Sequence, residues 1–188
     1  MASIVDIANS ALIDMGEPAI NSLDQNTERA VTIKAVFDSQ LDWLLEQHPW
    51  NFAKARVALA PLAEAPLYGF SRAFQLPADF LALIDPETQL AQYRIENNQL
   101  LCDADQLSIN YTRRVSNPED MPPSFRETLA ALIGSKVAKS ITGSDDARVK
   151  LEGFFKDRLR TAKGLNANSS GQEEPERPDL FIRARGGR

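Results

Sequence analysis

The side chains that could carry chemistry are few. His48 is the single histidine and Cys102 the single cysteine. A His-dependent triad, a multi-histidine metal site, an intramolecular disulfide and a cysteine zinc cluster all lack members. His48 stands before Pro49 at the end of a helical stretch. There a partly cationic imidazole suits the negative end of the helix dipole, so a structural role is expected. Cys102 is expected to be a small buried hydrophobe rather than a reactive thiol.

Carboxylates are plentiful, and glycoside hydrolysis needs only two of them facing one cleft. Glu28, Asp38, Asp42 and Glu46, however, recur at helical spacing opposite an apolar stripe and read as a solvated face. Asp103 and Asp105 lie in DADQ, which lacks the further ligands of a calcium loop and reads as a turn. Neither GxxxxGK[ST] nor GxGxxG occurs. Arg113 and Arg114 and the basic residues of the last helix (Lys156, Arg158, Arg160 and Lys163) have no aromatic interleaving, so they are expected to be solvated or to face another subunit. The expectation is a protein without catalytic residues, metal ligands or cofactor.

Composition agrees. The 188 residues suit one compact domain with a tail, and 43% hydrophobic content is enough for a core. A net charge of −5 and a pI near 5.0 offer no general attraction to nucleic acid or an anionic membrane. The N-terminal stretch has no basic n-region and carries Asp6 and Asp14, so it does not read as a signal peptide. No apolar run approaches the ~20 residues of a membrane span. A soluble protein made in a reducing cytoplasm is expected.

The organising element is the stretch from Glu28 to Gln47. Ala30, Ile33, Phe37, Leu41, Leu44 and Leu45 return in steps of three and four, the stripe of an α-helix roughly 30 Å long. Pro49 ends it, and Trp50 and Phe52 follow as an aromatic anchor at strand period. Upstream, Ser3 with Asp6 makes a capping box for a helix from Ile4 to Met15, stopped by Gly16 and Pro18. Asp24, Asn26 or Thr27 caps the long helix, and the sequence does not choose between them.

From Trp50 to Met121 prolines rule out long helices and apolar residues alternate. Residues 52–59 and 74–76 read as strands. Asn97-Asn98 reads as the turn of a hairpin, and Leu107, Ile109 and Tyr111 as a half-exposed strand. PADFLALI, residues 77–84, reads as one helical turn packing Phe80 and Leu83 inward. Helix then returns: Ser124 and Glu127 form a capping box, and Phe125 opens an apolar stripe that Gly143 closes. A last helix begins after Ser144, with a Glu152–Lys156 pair, and is expected to stop at Gly164. Residues 166–188 lack periodicity and read as a flexible arm ending in Leu180, Phe181 and Ile182 beside Arg183, Arg185 and Arg188.

The expected fold is therefore mainly α. About four helices, residues 1–49 and 122–165, form a bundle with a small β-rich insertion at 50–121 and an extended C-terminal arm at 166–188. Trp50, Phe52, Phe80 and Phe125 are its anchors.

In this order, several pieces resemble the head-to-tail connector (adaptor) proteins of short-tailed bacteriophages, the tail tubular protein A or portal-proximal tail accessory factor family. They are ALIDMGEPAINSLDQ, the long helix closing on HPWNFA, FQLPADFLALI, and Tyr111 followed by MPPSFRETLAALIGSKVAKSIT. The combination spans most of residues 4–165. The resemblance implies a virion protein, assembled in the host cytoplasm, that forms a dodecameric ring beneath the portal protein. It further implies contact with the tail nozzle protein and a channel through which DNA passes without specific binding. By position it gives the arm (Leu180, Phe181, Ile182, Arg183 and Arg185) the role of reaching the portal. Two other readings stand beside it: an adaptor-like virion protein with cell-wall hydrolase activity from a carboxylate pair, and a non-viral helical scaffold that binds a partner through its tail.

Overall fold

The computed structural model describes residues 2–88 and 90–169. Helices α1 (Ile4–Met15) and α2 (Glu28–Glu46) come first. Strands β1 (Lys54–Leu59), β2 (Arg72–Gln75), β3 (Phe80–Pro86), β4 (Tyr93–Glu96), β5 (Gln99–Cys102) and β6 (Leu107–Arg113) follow, and helices α3 (Pro123–Thr142) and α4 (Asp145–Ser169) complete the described residues.

Among the described residues helix makes up 49% and strand 20%, the latter in two three-stranded antiparallel sheets, so the fold is mixed α/β. This corrects the expectation of a mainly α bundle with a small insertion. The decisive stretch is FLALI. A short apolar run can be a helical turn or a strand covered on both faces, and periodicity alone does not separate them. Here it is β3, paired to β6. Phe80 and Leu83 pack into the β core while Leu81 packs against the helices. Bulges between Phe80 and Ala82 and between Leu83 and Asp85 shift the register. They allow Phe80 and Leu83, three apart, to share a face. Phe80 is thus a strand anchor, stacked on Tyr111 at 5.7 Å.

One sheet has the order β1-β6-β3 and the other β2-β5-β4. They close on Phe74, Leu76, Leu100, Cys102, Leu107, Ile109 and Tyr111. The β4–β5 hairpin turns on Asn97 and Asn98, at φ 47° and 58°, as the Asn-Asn pair leads one to expect.

In the helical part α3 is central, touching α1, α2 and α4. Its buried side spans Phe125, Thr128, Leu129, Leu132, Ile133, Val137 and small residues between them. Ser3 and Asp6 do form a capping box on α1, and Thr27 is the residue that caps α2. Ser124 does not cap α3. The helix starts two residues earlier than that cap requires, with Pro123 at its first position, where a missing N–H costs nothing. Glu152 pairs with Arg148 one turn back instead of with Lys156.

Gly164 does not stop α4, which runs to Ser169, so residues 166–169 belong to the helix. A mid-helix glycine costs about 1 kcal/mol. Contacts to Asn51 counter it: Asn51 N–H donates to Asn166 Oδ1 at 2.8 Å, and the Asn51 amide donates to Asn166 O at 2.8 Å and Ser169 Oγ at 3.0 Å.

Candidate partner-binding site

The corner after α2 is built by aromatics. Trp50 is buried and its indole N–H donates to the Leu44 carbonyl at 2.9 Å, which also accepts the Gln47 N–H in the last turn of α2. Phe125 lies edge-on to Trp50 at 5.1 Å and to Phe52 at 4.8 Å. Phe52 sits in a 3-10 turn, Asn51–Ala53, instead of the expected strand. Three of the four anchors (Trp50, Phe52 and Phe125) therefore meet at one place, and Phe80 stands apart in the β core.

His48 belongs to this corner, 5.0 Å from Trp50. Burial, then the charges of Lys163 and Lys54, push its pKa below the ordinary value. The Asn166 Nδ2 lies 3.0 Å from His48 Nε2. Because Asn166 Oδ1 already accepts from Asn51, Nδ2 must donate and the imidazole must accept, which a neutral ring does. The expected partly cationic imidazole is replaced by a neutral one; the structural role stays.

Beside these rings a groove of about 290 Å³ opens, walled by Trp50, Phe52, Pro122, Phe125, Ala162 and Leu165. Leu165 is 54% exposed there. The five arm residues expected to meet a partner, Leu180, Phe181, Ile182, Arg183 and Arg185, lie outside the described residues. The helix that leads into them ends on this groove's rim, since Ser169 lines it.

Asp38, Asp42, Asp103 and Asp105 find partners within the chain. Asp42 and Asp38 do not stand on a purely solvated face: Arg114 Nε donates to Asp42 Oδ1 at 2.5 Å and Arg114 Nη2 to Asp38 Oδ1 at 2.9 Å. The hydrogen bond to Asp42 is the main reason the Arg114 pKa is raised above its ordinary value. This fork ties the segment after β6 to α2 and commits both carboxylates to one cation, whereas a glycosidase needs two acids facing an open cleft. Asp103 accepts from the Ser71 N–H at 2.8 Å, and Asp105 pairs with Arg72 at 2.7 Å, so DADQ is a braced turn. Among the described residues no group of three or more His, Cys, Asp or Glu is placed to hold a metal ion. Cys102 is fully buried in the β core.

One surface feature escaped the sequence reading. The loop joining β1 to β2 carries Leu67 and Tyr68 at 98% and 83% exposure. They flank a second groove, about 690 Å³, over the outer face of β5, with Leu62, Phe70, Ala73 and Leu101 in its wall. The signal was present: APLYGF places two large apolar residues between a proline and a glycine, in a turn where no core can cover them.

No protein-family model matches the chain, and a search of curated proteins returns no match.

Proposed function

We propose that this protein is a non-enzymatic assembly protein, a head-to-tail adaptor of a bacteriophage virion. In this reading it forms a ring under the portal, extends the DNA channel and offers a platform to the tail nozzle. The observation that carries the reading is the exposure of Leu67 and Tyr68 together on a loop tip. Scattered single apolar residues on a surface need no explanation, but an adjacent pair rimmed by polar groups marks a protein-binding patch. A heterologous, ring-closing interface needs two different complementary patches, and this pair would supply one of them.

Two further features support the same role. The acidic balance of the chain suits a channel wall past which phosphate slides. The Arg114 fork ties the segment after β6 to α2, a link between the helical and β parts that suits a protein built into a ring. Leu180, Phe181, Ile182, Arg183 and Arg185 are proposed to reach the portal.

Electron microscopy of the protein mixed with purified portal rings tests this. A ring of density added on one face of the portal supports the adaptor role. Bare portal rings at protein concentrations well above micromolar would overturn it.

A further inference from the structure

The groove beside the aromatic corner is walled almost wholly by apolar atoms, yet no described residue fills it. We propose that its occupant is the chain's own Leu180, Phe181 and Ile182, folded back from the end of α4 onto the same subunit.

Three observations converge on that occupant. Ser169, the last described residue, lines the groove, so the chain leaves from the groove's own rim. Between Ser169 and Leu180 lie ten residues of Ser, Gly, Gln, Glu, Pro, Arg and Asp. A flexible chain of that length spans roughly 18 Å root-mean-square, enough to return to its root and hold the cluster there at about millimolar effective concentration. Leu180, Phe181 and Ile182 are also the only three consecutive apolar residues beyond α4.

Charge fixes the direction of approach. Lys54 and Lys163 both stand close enough to His48 to act on its ionisation, and Asn166 beside His48 lines the groove. Neither lysine has a carboxylate partner among the described residues. Glu173, Glu174 and Glu176 lie in the connecting stretch and would pass these two cations as the arm turns back. The inference needs no portal and stands apart from the adaptor reading. Under that reading, a portal would draw the same three residues out of the groove, so docking at home and docking abroad exclude each other.

The test uses the full chain with Ala184→Cys carrying a nitroxide. Cys102 is fully buried and leaves the label to the new site. In an isotope-labelled sample, the Trp50 indole, Asn51 and Leu165 signals should be lost while those of Leu67 and Tyr68 keep their intensity. Adding Phe181→Glu should restore the lost signals. The proposal is overturned if the groove signals persist or if Phe181→Glu fails to restore them. It is equally overturned if the loss needs label and isotope on different molecules, because the occupant would then be another copy's arm.

Discussion

Asn51 and Asn166 hold each other twice across 115 positions of sequence, backbone N–H to side-chain oxygen and side-chain amide to backbone oxygen, each at 2.8 Å. The contact pins the last turn of α4 to the corner that follows α2. Replacing Asn166 with alanine removes the acceptor for the Asn51 N–H and the donor to His48. The expected cost is about 1–3 kcal/mol, read as a lowered Tm. Hydrogen exchange should quicken first in residues 165–169, before the rest of α4. Uniform quickening along the helix would mean the pair does not anchor its end.

His48 gives the corner a pH signature. Its pKa is lowered in the folded state by burial first and by Lys163 and Lys54 next, so the unfolded chain binds the proton more readily. The stability that comes from keeping the ring neutral is whole above the ordinary value of 6.5 and is lost as pH falls from there through the folded pKa. Chemical denaturation between pH 7.5 and 5.5 should show falling stability, and His48→Gln should flatten the slope. The carboxylates with lowered pKa, Asp6 and Asp24, act below 3.8, outside this window.

The Arg114 fork is partly exposed, with side-chain exposures of 34% for Arg114 and 35% for Asp42, so solvent screens it. A double-mutant cycle of Arg114→Gln and Asp42→Asn should give a coupling of about 1 kcal/mol, shrinking in high salt. A coupling indistinguishable from zero at low salt would remove the fork from the account of how the two parts are held.

Much of this architecture was legible beforehand, and where it was not the reason is physical. The helix from Glu28, the capping box at Ser3 and the Asn97-Asn98 turn each rest on local backbone chemistry that sequence displays directly. Phe80 to Ile84 failed because that strand is covered on both faces and bulged, which erases alternation. Gly164 misled because tertiary contacts to Asn51 outweighed its helix propensity. Arg114 could not be matched to Asp38 and Asp42 from sequence, since more than seventy residues separate the partners. Leu67 and Tyr68 were overlooked because a strand-and-core reading looks for apolar residues that will be covered.

Gly134 tests how closely α3 packs. A methyl group there would meet the Ala11 carbonyl oxygen and Leu151 Cδ1 at 3.7 Å, ordinary contact distances. Gly134→Ala should therefore be neutral or stabilising by up to about 1 kcal/mol, because glycine loses more freedom in a helix. Gly134→Leu should lose about 1–3 kcal/mol by overpacking against α1 and α4. Equal stability of the two variants in urea unfolding would show that the helices part more easily than the structure implies.

The loop-tip pair separates folding from assembly. Leu67→Ser with Tyr68→Ser should leave the unfolding free energy within about 0.5 kcal/mol of the parent, since neither side chain is buried. Sedimentation of a mixture with portal rings should show the variant binding more weakly than the parent. An unfolding midpoint shifted far from the parent would instead place these residues in the fold.

The most direct measurement is the mass, by light scattering, of purified portal rings mixed with the full chain and with a version ending at Ser169. The account predicts a mass step of twelve chains of 20.8 kDa for the full chain and little or none for the shortened one. Rings that keep the mass of bare portal in the presence of the full chain would contradict the adaptor assignment.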